Sequence, residues 1–224
     1  MMNANPGFPV VLDVKGWSVL VIGGEEEAAD KTQRLLDSGA RVTVVSPTLN
    51  DALRQLVASG RVIHRGRTFR DTDLEHAILV LNTIRGDREF ANMLLTNARA
   101  KGVLLWSVDY PEACSVTMPA VVVSGHARVA ISTSGVAPAL SGFVKEDLER
   151  ILDGEFAAFV EWLGELREQA RANEPDVEKR RALLREALDG FRLLGKVQYP
   201  KVWHEERAKT ASSVKREGHQ PADS

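Results

Sequence analysis

Asp109 stands directly after the apolar run Val103–Val108 and just ahead of Tyr110, Pro111 and Cys114. An apolar run of that length, bounded by turn residues, reads as a buried strand. A carboxylate at the C-terminal tip of a parallel strand lies where open α/β sheets put their ligand crevice. There it could accept a proton from a bound molecule. The same Asp-x-Pro spacing also suits a plain turn. A second constellation lies upstream, where Trp17–Ile22 runs into Gly23-Gly24 and then Glu25-Glu26-Glu27. Strand, glycine turn and helix make a phosphate site, because a helix N-terminus offers unpaired N–H groups and a partial positive charge. Against the pattern G-x-G-x-x-G/A, the matching residues are Gly23, Glu25 and Ala28, so a glutamate stands where the second glycine is expected. A carboxylate about 4 Å from a pyrophosphate costs about 1 kcal/mol in water and about 4 at an effective dielectric of 20. Nucleotide affinity should therefore suffer unless Glu25 turns outward. Acidic residues also stabilise a helix start by about 0.3–1 kcal/mol each, so the triple glutamate has a purely structural reading as well.

Other polar residues carry weaker signals. Ser132-Thr133-Ser134 reads equally as a substrate-contacting loop and as a polar cap for the helix after Pro138. Lys31, Arg128 and Lys145 are cations that could pair with an acidic ligand or stand solvated. His126 reads as a hairpin-turn residue, and His64 and His76 have no partner at a metal-ligand spacing, so no protein metal site is expected. Cys114 is expected to be a small buried residue, since no base lies near it in a nucleophile motif. After the second predicted strand, Ser46-Pro47-Thr48 offers no acid to hold a ribose, so spacing does not choose between NAD and NADP.

These residues need a scaffold, and the pattern supplies one. Strands are expected at 17–22, 41–45, 61–64, 77–81 and 103–108, with helices at 25–38, 50–59 and 89–101. Strands alternating with helices imply a parallel sheet covered on both faces, a Rossmann-like α/β domain. Two further strands around Ser124-Gly125 suggest a hairpin. Past Pro138 the chain reads as one helix to about residue 172, with Phe143, Leu148, Ile151, Leu152, Phe156, Phe159, Val160, Leu163 and Leu166 as a core or dimer-interface stripe. Glu174-Pro175 breaks it, and Asp176 caps a further helix. The expected division is 1–114, 115–145, 146–200 and a mobile polar tail at 201–224. No internal repeat is visible.

Bulk properties narrow the classes. The 224 residues carry a net charge of -2, which gives no basic field for nucleic acid. One cysteine excludes an intrachain disulfide and a Cys-rich zinc site. No apolar run reaches the roughly 18–20 residues of a membrane span, and Met1–Pro9 lacks a secretory pattern. A cytoplasmic protein is expected.

Several segments, taken together and in order, are similar to one known family over roughly residues 8–152. They are Phe8-Pro9-Val10; Val21–Gly24 with Ala28 and Lys31; Gly39–Pro47; Val108-Asp109 with Pro111; Met118-Pro119-Ala120; and Ala130–Gly135 with Pro138. The chain thereby resembles the precorrin-2 dehydrogenase/sirohydrochlorin ferrochelatase family, of the siroheme synthase N-terminal type. The resemblance implies NAD-dependent oxidation of precorrin-2 to sirohydrochlorin, with insertion of a metal such as Fe(II) or Co(II) in some members. It implies a homodimer joined through the middle segment, and a helical C-terminal part over the cleft. By position it carries the required aspartate onto Asp109. Cofactor contacts fall on Gly23, Gly24, Glu26, Glu27, Pro47, Thr48 and Thr83. Substrate contacts fall on Ser132, Thr133 and Ser134, to which Arg128 and Lys145 are added as cations for the acidic tetrapyrrole. Three departures accompany it. Glu25 replaces a glycine, Ser134 takes the first place of a usual glycine pair, and Thr83–Arg88 is longer than the usual run before Asn92.

Overall fold

The structure, a computed structural model, describes residues 7–204. Five strands, β1 (Ser18–Ile22), β2 (Arg41–Val45), β3 (Val62–Arg65), β4 (Leu79–Asn82) and β5 (Leu104–Ser107), form one parallel sheet in the order β3-β2-β1-β4-β5. The order reverses between β1 and β4, so the loops that leave their C-terminal ends diverge and open a crevice.

Alternation along each strand divides the core. Val19, Val21, Val42, Val44, Leu79 and Leu81 pack on one face with Ala28, Leu35 and Leu53. The last three come from α1 (Glu26–Asp37) and α2 (Asp51–Ala58). Leu20, Ile22, Val45, Val80 and Leu105 face the other way, against Leu94, Leu95 and Ala98 of α3 (Arg88–Ala100). Burial on both faces is why these strands read as continuous apolar runs. Caps agree with the helix starts: Asn50 accepts from the Leu53 amide at 3.0 Å, and Asp87 from the Phe90 amide at 2.9 Å.

Beyond the sheet, β6 (Ala120–Ser124) and β7 (Ala127–Ile131) pair antiparallel around Gly125-His126. They pack on α4 (Pro138–Ile151). The single helix expected from Pro138 to about 172 is in fact two, α4 and α5 (Gly154–Asn173). The break has a local cause. Asp153 accepts from the amides of Glu155 and Phe156 at 3.0 and 3.1 Å, which starts a new helix, while its own carbonyl accepts from Ser124 Oγ at 3.2 Å. An apolar spacing of three and four residues does not register such a cap. The last helix, α6 (Val177–Glu186), begins where Asp176 accepts from two amides, and it ends before Leu188 and Phe191.

Residues up to Glu161 form one compact unit and those from Trp162 a second. Of the tail expected from Lys201, positions 205–224 lie outside the described residues, and 201–204 form a helical turn. Among the described residues, no helix is long and apolar enough to cross a membrane.

Candidate active site

Two cavities open at the C-terminal edge of the sheet, both within the first unit. The first, about 900 Å³, is floored by Gly23-Gly24 and walled by Glu25–Glu27, Pro47, Thr83, Arg85 and the pair Phe69 and Phe90. Those two rings meet edge to face at 5.7 Å. The second, about 1040 Å³, collects Asp109, Cys114, Met118, Ser132, Thr133 and Ser134, with Arg99 also on its wall.

The glycine turn is built tightly. Gly23 has a φ of 120°, which favours glycine, and a Cβ there would strike the Thr83 hydroxyl. Gly24 is buried, and a Cβ on it would overlap the Thr48 carbonyl oxygen. The Thr83 hydroxyl donates to the Ile22 carbonyl at 2.8 Å, which ties the ends of β1 and β4 together. Thr48 therefore backs the turn and does not line the cavity wall, whereas Pro47 does.

A phosphate would meet an open helix end here. Glu25 is the N-cap of α1, and its side chain makes no capping hydrogen bond, unlike the caps of α2, α3 and α6. The first-turn amides of α1 are thus left without a side-chain acceptor, which fits an anionic group at that end. Glu25 itself is exposed and extended, with φ -93° and ψ -168°. The residues present fit a dinucleotide, because a tight glycine turn meets a helix end whose amides have no side-chain acceptor.

Asp109 leaves β5 with a φ of 62°, a left-handed conformation that is uncommon outside glycine but tolerated by aspartate. The turn points its carboxylate at Arg85. Arg85 Nη1 donates to both Asp109 oxygens at 2.7 and 2.6 Å, and Nη2 donates to Glu27 Oε2 at 3.0 Å. The Asp109 carboxylate foremost, and Glu27 after it, push the Arg85 guanidinium above its ordinary pKa. Lys31 completes the row: its Nζ lies 3.0 Å from Glu27 Oε1 and 5.2 Å from the Trp106 ring centre. Chain order gave no hint of Arg85, although it lies in the segment whose length departs from the family pattern. Nothing in the pattern marked Arg99.

Other expected site residues fall as follows. Ser132 Oγ accepts from the Ser134 amide at 3.1 Å, and Thr133 Oγ1 from the Ala137 amide at 3.2 Å, so both brace their loop while lining the second cavity. Ser134 has a φ of 52°, in keeping with its place in a usual glycine pair. Arg128 donates to the carbonyls of Gly125 and Ala127, and Lys145 pairs with Glu149 at 3.0 Å. Neither lines either of these two cavities. Cys114 is half-buried. Its Sγ accepts from the Ser107 amide at 3.1 Å, and burial, the main influence, raises its pKa, so a thiolate nucleophile is disfavoured.

A family model described as "Putative NAD(P)-binding" matches residues 10–120. The siroheme synthase of Xylella fastidiosa (strain M12) is 31% identical over 189 residues, which is 84% of this chain and 40% of that protein. The siroheme synthase of Pseudomonas fluorescens (strain SBW25) is 32% identical over 185 residues, 82% of this chain and 39% of its own length. The chain thus spans about 40% of the length of these relatives. A solved structure of "SirC, precorrin-2 dehydrogenase" shares the fold, with a TM-score of 0.70 and 24% identity over 92% of this chain and all of that one. Over more than four fifths of its length the chain is thus similar to the siroheme synthases that its ordered motifs resemble, and it shares the fold of a precorrin-2 dehydrogenase.

Proposed function

We propose that the chain oxidises precorrin-2 to sirohydrochlorin with a nicotinamide cofactor, NAD, and that Asp109 is its catalytic residue. One observation carries the reading: Asp109 lies on the wall of one cavity while its guanidinium partner, Arg85, lines the other. When bound, the nicotinamide would supply a hydride acceptor. Gly23, Gly24, Glu26, Glu27, Pro47 and Thr83 would hold the cofactor, with Thr48 supporting the turn from behind.

Removal of a hydride from a reduced tetrapyrrole leaves a proton to be taken up. The Asp109 carboxylate, at the tip of β5, is placed to take it. Ser132, Thr133 and Ser134 would contact the macrocycle, and Met118 would add an apolar wall. The second cavity also offers Arg99 as a carboxylate partner, whereas Lys145 and Arg128 would reach the substrate only after leaving their present partners.

Insertion of Fe(II) or Co(II) into sirohydrochlorin is a second reading, because the same carboxylate could take the pyrrole protons that a metal displaces. A homodimer is proposed on the exposed apolar side chains Val136, Leu140 and Phe143, at and just before α4. The cytoplasm is the proposed compartment, since the single cysteine leaves no intrachain disulfide to form.

One anaerobic experiment separates the readings. Precorrin-2 is mixed with the protein, with NAD, with NADP and without either, and sirohydrochlorin absorbance is followed. NAD-dependent turnover that Asp109→Ala abolishes is the expected result. Uptake of Fe(II) or Co(II) by supplied sirohydrochlorin, with no turnover of precorrin-2, would select the second reading. Tetrapyrrole binding with neither reaction would leave a non-catalytic carrier.

A further inference from the structure

Arg85 is placed between two anionic partners at the edge of a cavity whose charged lining residues are otherwise all acidic. Among the described residues lining the first cavity, Glu25, Glu26, Glu27, Asp30 and Asp87 are acids, and Arg85 is the only base. A dinucleotide pyrophosphate entering that space would face net repulsion, softened by the open amides of α1. The guanidinium already stands at the right end. Its Nη2 is 3.0 Å from Glu27, a residue of the first turn of α1.

The present bonds of Arg85 are replaceable. Its side chain is 57% exposed and that of Asp109 is 49% exposed. An ion pair so open to water contributes little to stability. A phosphate oxygen offers a guanidinium a stronger, charge-assisted contact than an exposed carboxylate does.

We propose that Arg85 is a phosphate ligand for the cofactor that Asp109 and Glu27 hold in reserve, so that nucleotide binding draws it away and frees Asp109. This rests on the reading of the first cavity as the nucleotide site. The same guanidinium serves the two anions in turn: the carboxylate before the nucleotide enters, the phosphate after. Competition for one group makes the two events thermodynamically linked, and linkage is reciprocal. Neutralising Asp109 must then tighten nucleotide binding, and only while Arg85 is present.

That crossed dependence is the test. NAD affinity is measured by calorimetry on the full-length protein, without tetrapyrrole, for the wild type, Arg85→Ala, Asp109→Asn and the double variant. Asparagine is used because it tolerates the left-handed backbone of position 109. Thermal unfolding of each variant checks that it is folded. Arg85→Ala should weaken NAD binding about tenfold, the scale of a lost hydrogen bond to a charged group. Asp109→Asn should tighten it about threefold, the scale of an exposed ion pair. In the Arg85→Ala background, Asp109→Asn should change nothing.

Four results would overturn the proposal. Arg85→Ala binds NAD as the wild type does; or Asp109→Asn fails to tighten binding; or it tightens binding equally without Arg85, which would reduce the effect to general repulsion. A wild type that binds neither NAD nor NADP overturns it too. Failure of the functional reading looks different: the wild type binds NAD with this crossed pattern yet leaves precorrin-2 unoxidised.

Discussion

Replacing Asp73 by asparagine should destabilise the protein in a way that depends on pH. Asp73 lies in a short helical turn, residues 71–74, and its side chain is fully buried. Arg67 donates to its two oxygens at 2.8 and 2.7 Å, the Arg70 amide donates at 2.9 Å, and Arg65 also pairs with it. The Arg67 hydrogen bonds foremost, against the opposing cost of burial, lower the Asp73 pKa from 3.8 to about 2. At about 1.4 kcal/mol per pH unit, that drop amounts to about 2 kcal/mol of stability at neutral pH. Because the folded pKa is the lower one, the contribution is complete above the unfolded value of 3.8 and is lost as pH falls through about 2. Asparagine has no such titration. Urea unfolding of the two proteins should therefore differ by about 2 kcal/mol at pH 7, with most of the difference gone near pH 2. Other carboxylates titrate alike in both proteins and cancel. A difference that stays constant from pH 7 to pH 2, or one near zero at pH 7, would refute the electrostatic reasoning. The cluster also anchors the loop that carries Thr68 and Phe69 to the wall of the first cavity. NAD affinity should fall in the same variant at pH 7.

Two further substitutions probe the turns. Gly24→Ala would push a methyl group into the Thr48 carbonyl, which is backbone and yields little. Overpacking of this kind costs about 1–3 kcal/mol, so calorimetry should find a folded protein with weakened NAD binding, and unchanged affinity would disprove the tight-turn account. Ser134→Gly removes the strain of a serine at a φ of 52°, partly offset by the larger chain entropy of glycine, for a net gain of about 0.5 kcal/mol. Its melting temperature should rise by about 1–2 °C, and a lower one would mean that the serine is not strained.

How much of this was legible in the chain differs by kind of residue. The central strands followed from runs such as Trp17–Ile22, because strands buried on both faces must be apolar throughout, and the three sheet-packing helices from the segments of helical apolar spacing between them. Glycine at position 23 announced a turn, and the structure gives it a φ of 120°. The break between α4 and α5 was missed, since Leu152 and Phe156 keep a helical spacing across it, and only the Asp153 cap interrupts the backbone.

The amino-acid order by itself determined the parallel sheet, the glycine turn and the carboxylate at the tip of its fifth strand. These depend on neighbours in the chain: on the period of the apolar residues and on which backbone angles a residue tolerates. The tertiary structure alone decided which charges meet. Arg85 is 24 residues from Asp109 and 58 from Glu27 along the chain. They touch because β1, β4 and β5 end side by side. Coulombic contact depends on distance in space, which local pattern does not encode and which strand order sets.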